Sequence, residues 1–352
     1  MSVLPSSLRR WRWRRVAAVI KQAKRRQRRR RLLLTTIVAL AAAAGVGVYL
    51  GVWQGDGTTG APGSGGSGLA VVRFRLAAAP VAVTLAGGSV WVVEETSGMR
   101  AVLVRLDATT GKRLTAFTIG RTGPDFGAAA ASGHFVWAAA GDHVIRVDTT
   151  RPGVVRRTAL PGEAAAVTIG FGSAWVATIG QQHDAITRLD ASTLAMQARV
   201  PLTIQPVALG AGLGSVWVAS TGGLWKIDPT SNRLISAPVP VAVPVRLAVS
   251  GNRVWLIEQD RFIIAVDRAG RVRARIALPF APGAVAATPG RIWVTDDCGC
   301  RAGTLALVDA RTHRLLGERK IGETPVDVAA GRDGAWIATF GDSSVSHINT
   351  TG

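Results

Sequence analysis

The sequence predicts an all-β ring of seven like sheets, preceded by a membrane segment. Three observations carry the ring. A tryptophan recurs in one local context at Trp91, Trp137, Trp175, Trp217, Trp255, Trp293 and Trp336, with a mean spacing of about 41 residues. Around each, the chain reads as turn, apolar strand, turn, Trp-bearing strand, short loop and a third strand ending in Asp; Pro206–Ser220 followed by Leu224–Asp228 is the clearest copy. The seventh copy stops after its third strand, while an unmatched strand, Val71–Leu76, precedes the first. A period of this length with several short strands per copy marks a seven-bladed β-propeller.

Charge is unevenly spread. The net charge is +20, but residues 1–31 hold 13 Lys and Arg and no acid, which leaves +7 on the rest. Residues 8–31 read as a basic, helical arm with Trp11 and Trp13 adding interfacial character. Such an arm suits anionic lipid. Nucleic acid is the rival partner for a basic run, but an apolar segment follows at once, so no nucleic-acid role is expected. Two cysteines exclude a disulfide-stapled scaffold.

Leu32–Trp53 is 22 residues without a charge. As a helix it would reach about 33 Å, enough to cross a bilayer core. The upstream cations place residues 1–31 in the cytoplasm and everything after Trp53 outside. A cleaved export signal is the competing reading, and it sends the chain the same way. The run is longer than a signal core, which favours a retained single-pass anchor in the cell membrane. Gln54–Gly68 is a Gly/Ser-rich linker of 15 residues, with a typical reach of roughly 20 Å.

The propeller is expected over 69–352, with four strands per copy. In the first these are Val81–Leu85, Ser89–Val93, Val102–Leu106 and Arg113–Ile119. Both faces of the strands read as largely apolar, which fits sheets sandwiched between neighbours. The third strands end at Asp107, Asp148, Asp190, Asp228, Asp267, Asp309 and Asn349. Asp or Asn there can bond amides two residues on and start a hairpin. Gly111, Asn232, Gly270 or Gly352 then takes the left-handed position. Residues 71–76 resemble the fourth strands of other copies, such as Val154–Leu160 and Val272–Leu278, and are expected to complete the last blade. That pairing closes the ring and removes two edges.

Strings such as Gly-Ser-Val-Trp-Val (88–92 and 214–218), Val-Ile-Arg-Val-Asp (144–148) and Pro325-Val-Asp-Val-Ala-Ala-Gly331 make residues 69–352 resemble the extracytoplasmic YVTN and streptogramin-lyase-like (virginiamycin B lyase-like) propellers. The resemblance implies the fold strongly and the function weakly, because these strings are structural positions repeated in each blade. The lyases of that group work by metal-assisted elimination and place a catalytic His and Glu together in a late blade. This chain has no Glu-x-x-His string, and His134, His143, His183, His313 and His347 fall singly in different blades. Asp107-Ala-Thr-Thr-Gly-Lys112 resembles a quinoprotein turn, but Phe117 is the nearest aromatic and no other copy has the full motif. No cofactor and no metal are therefore expected.

One Trp per blade at one strand position reads as core between blades, not as a binding surface. Function is expected where copies differ, in the loops after the Trp strands and in the blade connections, which share the top face of a propeller. The candidates are Glu94, Glu95 and Arg100; Arg121 and Asp125 at the entry to the second blade; His143; Gln181, His183 and Asp184; Glu258 and Asp260; and Asp296, Asp297 and Arg301. Cys298 and Cys300 lie in the last of these loops. Outside the cytoplasm a small disulfide is the first reading. Two thiolates fall short of the four ligands of structural zinc, and a redox pair would lack Cys-x-x-Cys. The sequence thus points to a membrane-anchored, extracytoplasmic, non-catalytic module that binds an envelope protein, peptide or small molecule. A lyase or hydrolase with its site on the top face, and a purely structural spacer, are the alternatives.

Overall fold

The computed structural model describes residues 69–121, 127–151, 153–180, 184–220, 222–235, 238–242, 244–258, 261–297 and 302–350. The basic arm, the predicted membrane span and the linker lie outside the described residues, as do Asp125, Gln181, His183, Asp260, Cys298, Cys300 and Arg301. Among the described residues, no helix is long and apolar enough to cross a membrane.

The described strands form seven antiparallel four-stranded sheets. Blade 1 runs Ala79–Ala86, Ser89–Glu95, Arg100–Asp107 and Arg113–Arg121. Blades 2 to 7 begin with Ala128–Ser132, Glu163–Gly170, Pro206–Gly212, Pro244–Ser250, Pro282–Ala287 and Pro325–Ala330. These seven first strands contact one another in sequence, and that of blade 7 returns to that of blade 1. They therefore line the axis, and each blade adds its later strands outward.

Blade 7 has three strands from the C-terminal end, and its outer strand is Ala70–Arg75. That strand pairs with Ser344–Asn349, with Val71 opposite Ile348 and Phe74 opposite Val345. Phe74 stacks on Trp336 at 5.7 Å between ring centroids. Its ring also lies over Gly111 of blade 1, where a Cβ would collide with it; Gly111 has φ +67°.

Seven buried clusters correspond to the seven seams between blades. Trp91 packs against Val136 and Ile145 of blade 2, and Trp217 against Val254 and Leu256 of blade 5. Trp336 packs against Val90 and Val92 of blade 1. Each Trp fills the seam on the same side of its sheet, so one residue type per period supplies the core of the whole ring. Trp91, Trp175 and Trp217 donate from Nε1 to the carbonyls of Ala86, Gly170 and Gly212, at 3.2, 3.1 and 3.0 Å.

A second repeat lies opposite the tryptophans. Arg105, Arg146, Arg188 and Lys226 face Trp91, Trp137, Trp175 and Trp217 across the second and third strands. Each cation sits 4.8 to 5.9 Å from its ring centroid. Arg146 donates to the carbonyls of Ala191 and Ser192, and Arg188 to that of Pro229 and to Asn232 Oδ1. The cation of one blade thus ties the turn of the next. The turn aspartates behave as short local caps. Asp107 accepts from Thr109 N and Thr110 N, and Asp190 from Ser192 N and Thr193 N. The Thr110 amide for Asp107 and the Ser192 hydroxyl for Asp190, with these other bonds, hold both carboxyls below the usual range.

Two expectations need correction. The outer strands are not apolar on both faces: Arg113–Arg121 and Val155–Ala159 are largely exposed, because no further strand covers them. Blade 4 has an outer strand of only two residues, Arg233–Leu234. Pro238 and Pro240 follow, and proline cannot donate to a ladder. One bridge, Leu224 to Val239, continues the edge.

Candidate functional site

Antiparallel order puts the second-to-third-strand loops and the blade connections at one end of the ring, the rim. The other two classes of turn lie at the opposite end. Rim geometry starts with the position three residues after each Trp. It is Glu94, Ala140, Thr178, Ser220, Glu258, Asp296 or Thr339, and all seven are buried. The second strand extends past the Trp farther than the sequence suggests, and strand alternation turns this position inward.

Glu94, Glu258 and Asp296 were expected to face a ligand in loops. They are instead strand ends, only 2%, 4% and 5% exposed. Asp296 accepts from Thr304 N at 2.8 Å, and Thr339 bonds Ser344 across its loop. Glu258 Oε1 accepts from Ala242 N at 2.8 Å in the connection from blade 4, and its Oε2 meets Arg275 at 2.5 Å. Burial raises the Glu94 carboxyl above the usual range, offset in part by Arg113 at 3.8 Å. These three acids brace the rim from below.

The solvent-facing candidates sit differently. Asp184 Oδ1 accepts from Gly180 N at 3.3 Å. Asp297 is exposed, and its amide donates to Ala281 O. Glu95 is partly buried beside Glu94. His143 Nδ1 lies 2.6 Å from Asp142 Oδ1, the one carboxylate that meets it among the described residues. Arg100 and Arg121 are opposite one another in register, the first residue of the third strand and the last of the fourth. Both are exposed, and with Thr96, Ser97 and Gly98 they line an open depression on blade 1. The loop beneath is held by Thr96 N to Arg100 O and Met99 N to Thr96 O, both at 3.0 Å. Neither arginine is within ion-pair distance of a carboxylate among the described residues. Two guanidiniums with Ser and Thr hydroxyls make a site for an anionic group.

One charged group was missed in the sequence. Asp327 lies on the first strand of blade 7, after a bulge that recurs in six blades. The matching residues are Ala82, Ala166, Ala208, Arg246 and Ala284. Asp327 Oδ2 accepts from Val83 N of blade 1 at 2.9 Å, so it bonds across the seam that closes the ring. Burial pushes its carboxyl up to about 6, and the Val83 bond and then the charge of Arg246 moderate the rise. The departure from alanine was its visible signal.

Comparison with known proteins matches this architecture. No family model matches the chain, and no curated protein matches it in sequence. Among solved structures it is similar to hydrazine synthase of Kuenenia stuttgartiensis, with TM-score 0.65 and 15% identity over 79% of this chain and 97% of that one. It is also similar to the Cps50 (Swd1) β-propeller domain of Myceliophteria thermophila, with TM-score 0.66 and 13% identity over 80% and 98%. The Pan2 WD40 domain of Neurospora crassa matches with TM-score 0.58 and 13% identity over 78% and 90%. At these identities the likeness is one of fold: an all-β, seven-bladed propeller.

Proposed function

We propose that this chain is a membrane-tethered, extracytoplasmic binding module related to the YVTN and streptogramin-lyase-like propellers. It recognises an acidic group on an envelope protein, peptide or small molecule at the rim. The observation that carries the reading is the blade 1 depression with two arginines, Arg100 and Arg121, that meet no carboxylate among the described residues. It is open to solvent, held by a bonded loop, and built on the ends of two paired strands, which suits docking of a surface group. The charge-free run Leu32–Trp53 behind 13 cations supports the tether and its direction. The repeated Gly-Ser-Val-Trp-Val strings support the family.

The test uses the tagged full-length chain as bait against an envelope extract, with polyglutamate as competitor. Wild type should retain a partner that the competitor displaces. Arg100→Ala/Arg121→Ala should retain it about tenfold less, as two charge-assisted bonds are lost. Because both positions are exposed, melting of the double variant should match wild type. Equal retention by both proteins would move the ligand off this depression.

A further inference from the structure

The end of the ring opposite the rim carries a surface of its own. Among the described residues, eleven large hydrophobic side chains are exposed. Met99 is on the rim; the other ten lie at or beside the opposite end, mostly where outer strands begin. In blades 5 to 7 these are Val272, Leu315, Leu316, Val71 and Val72, between 38% and 48% exposed. Solvated aliphatics gathered at one end of a ring mark an interaction surface.

Cations gather in the same sector. Blade 5 presents Arg268 and Arg271, blade 6 Arg311 and Arg314, and blade 7 Arg332, all exposed. None of the five is within ion-pair distance of a carboxylate among the described residues. The acids nearby are engaged or few. Asp267 is paired with Arg273 at 2.6 Å, and Asp309 accepts amides of its own turn. The first turns of blades 6 and 7 frame a shallow depression lined by Thr288, Gly290, Arg291, Arg332, Asp333, Asn349 and Thr350. Two guanidiniums and two hydroxyls there suit a phosphate and outweigh the one carboxylate of the lining, Asp333.

We propose that this end of the propeller, over blades 5 to 7, docks on an anionic phospholipid surface. Arg291 and Arg332 take a headgroup phosphate, while Val272, Leu315 and Leu316 enter the interfacial layer. Lipid is favoured over other occupants for two reasons. Exposed aliphatics alternate with cations that meet no carboxylate among the described residues, the pairing that an anionic interface rewards. The chain also enters the propeller at this end, at Ala70, 17 residues after the charge-free run. The second reason rests on that run meeting the bilayer; the first does not, and neither depends on a ligand at the rim. It gives the binding module an orientation, with the rim turned away from the membrane.

The described strands of all seven blades fall within 70–349, so residues 69–352 form a self-contained domain for the test. Flotation would compare neutral phosphatidylcholine vesicles with vesicles holding about 30 mol % phosphatidylglycerol. The domain should partition at least about tenfold more onto the anionic vesicles, and about 0.5 M salt should remove most of that preference. Arg291→Glu/Arg332→Glu and Val272→Ser/Leu315→Ser should each lower partition about tenfold with melting unchanged, and Met99→Ser should leave it intact. Equal partition on both vesicles, or none on either, would overturn the proposal. So would Val272→Ser/Leu315→Ser variants that lose self-association in sedimentation while keeping lipid partition, since the patch would then belong to a second copy.

Discussion

Replacing Trp217 by alanine is expected to lower stability by about 3–5 kcal/mol, the range for deleting a large buried aromatic. Trp217 is fully buried and fills the seam between blades 4 and 5, against Leu224, Val239, Val254 and Ile264. The substitution removes its contacts, its bond to Gly212 O and the ring under Lys226. Blade 4 is a poor place to recover from this. Its outer strand spans two residues, so little structure can move in to fill the space. Trp217→Phe keeps much of the volume and loses the Nε1–H bond, so it should cost about 1–2 kcal/mol. Urea unfolding of the three proteins separates these values. A cost below about 1 kcal/mol for alanine would mean that the repeat tryptophan is not the seam core.

Asp327→Asn should stabilise the protein at neutral pH and leave it unchanged in acid. The folded carboxyl is raised to about 6 from an ordinary value of 3.8. Between those values the folded state holds more proton than the unfolded chain, so stability falls as pH rises. The ionised group then costs at most about 3 kcal/mol above pH 6, and less in so far as water reaches this partly buried side chain. Asparagine keeps an oxygen for Val83 N and never ionises. Unfolding free energies at pH 4 and pH 8 should therefore differ for wild type and much less for the variant at this site. Equal gains at both pH values would point to packing instead of charge. A ring-closing bond is thus made by a disfavoured carboxylate at a position where four of the other bulged blades place alanine and blade 5 places Arg246.

Much of the fold was legible because the chain repeats itself. Trp91 to Trp336 mark the same strand position, so their count and spacing report the number of blades. The turn aspartates were legible for a local reason, since the amides they accept from lie only two to four residues ahead. Rim chemistry was less so. Glu94, Glu258 and Asp296 read as loop residues because polarity after an apolar strand usually marks its end. Here the strand continues, and alternation buries them. The ties made by Arg146 and Arg188 leave no local trace, because the carbonyls they hold lie 45 and 41 residues away in the next blade. Arg100 and Arg121 were picked as separate loop charges, and only the register of two strands brings them together. Segregation of aliphatics to one end depends on which way each strand runs, which no window of sequence contains.

The central claim is that the ends of the domain join in one sheet, so that the ring is closed and its two ends carry different surfaces. The direct measurement is cross-linking of Arg73→Cys/Ser346→Cys in a chain whose Cys298 and Cys300 are serine. Arg73 and Ser346 are register partners, whereas Arg73 and Ser344 are two positions apart. Under oxidation the account predicts a disulfide in the first pair and none in Arg73→Cys/Ser344→Cys, whose Cα atoms exceed a reach of about 7 Å. The linked protein should migrate faster on denaturing gels and melt higher. Linking of the offset pair in preference, or of neither, would contradict the closed ring and with it the proposed separation of a binding rim from a lipid-docking end.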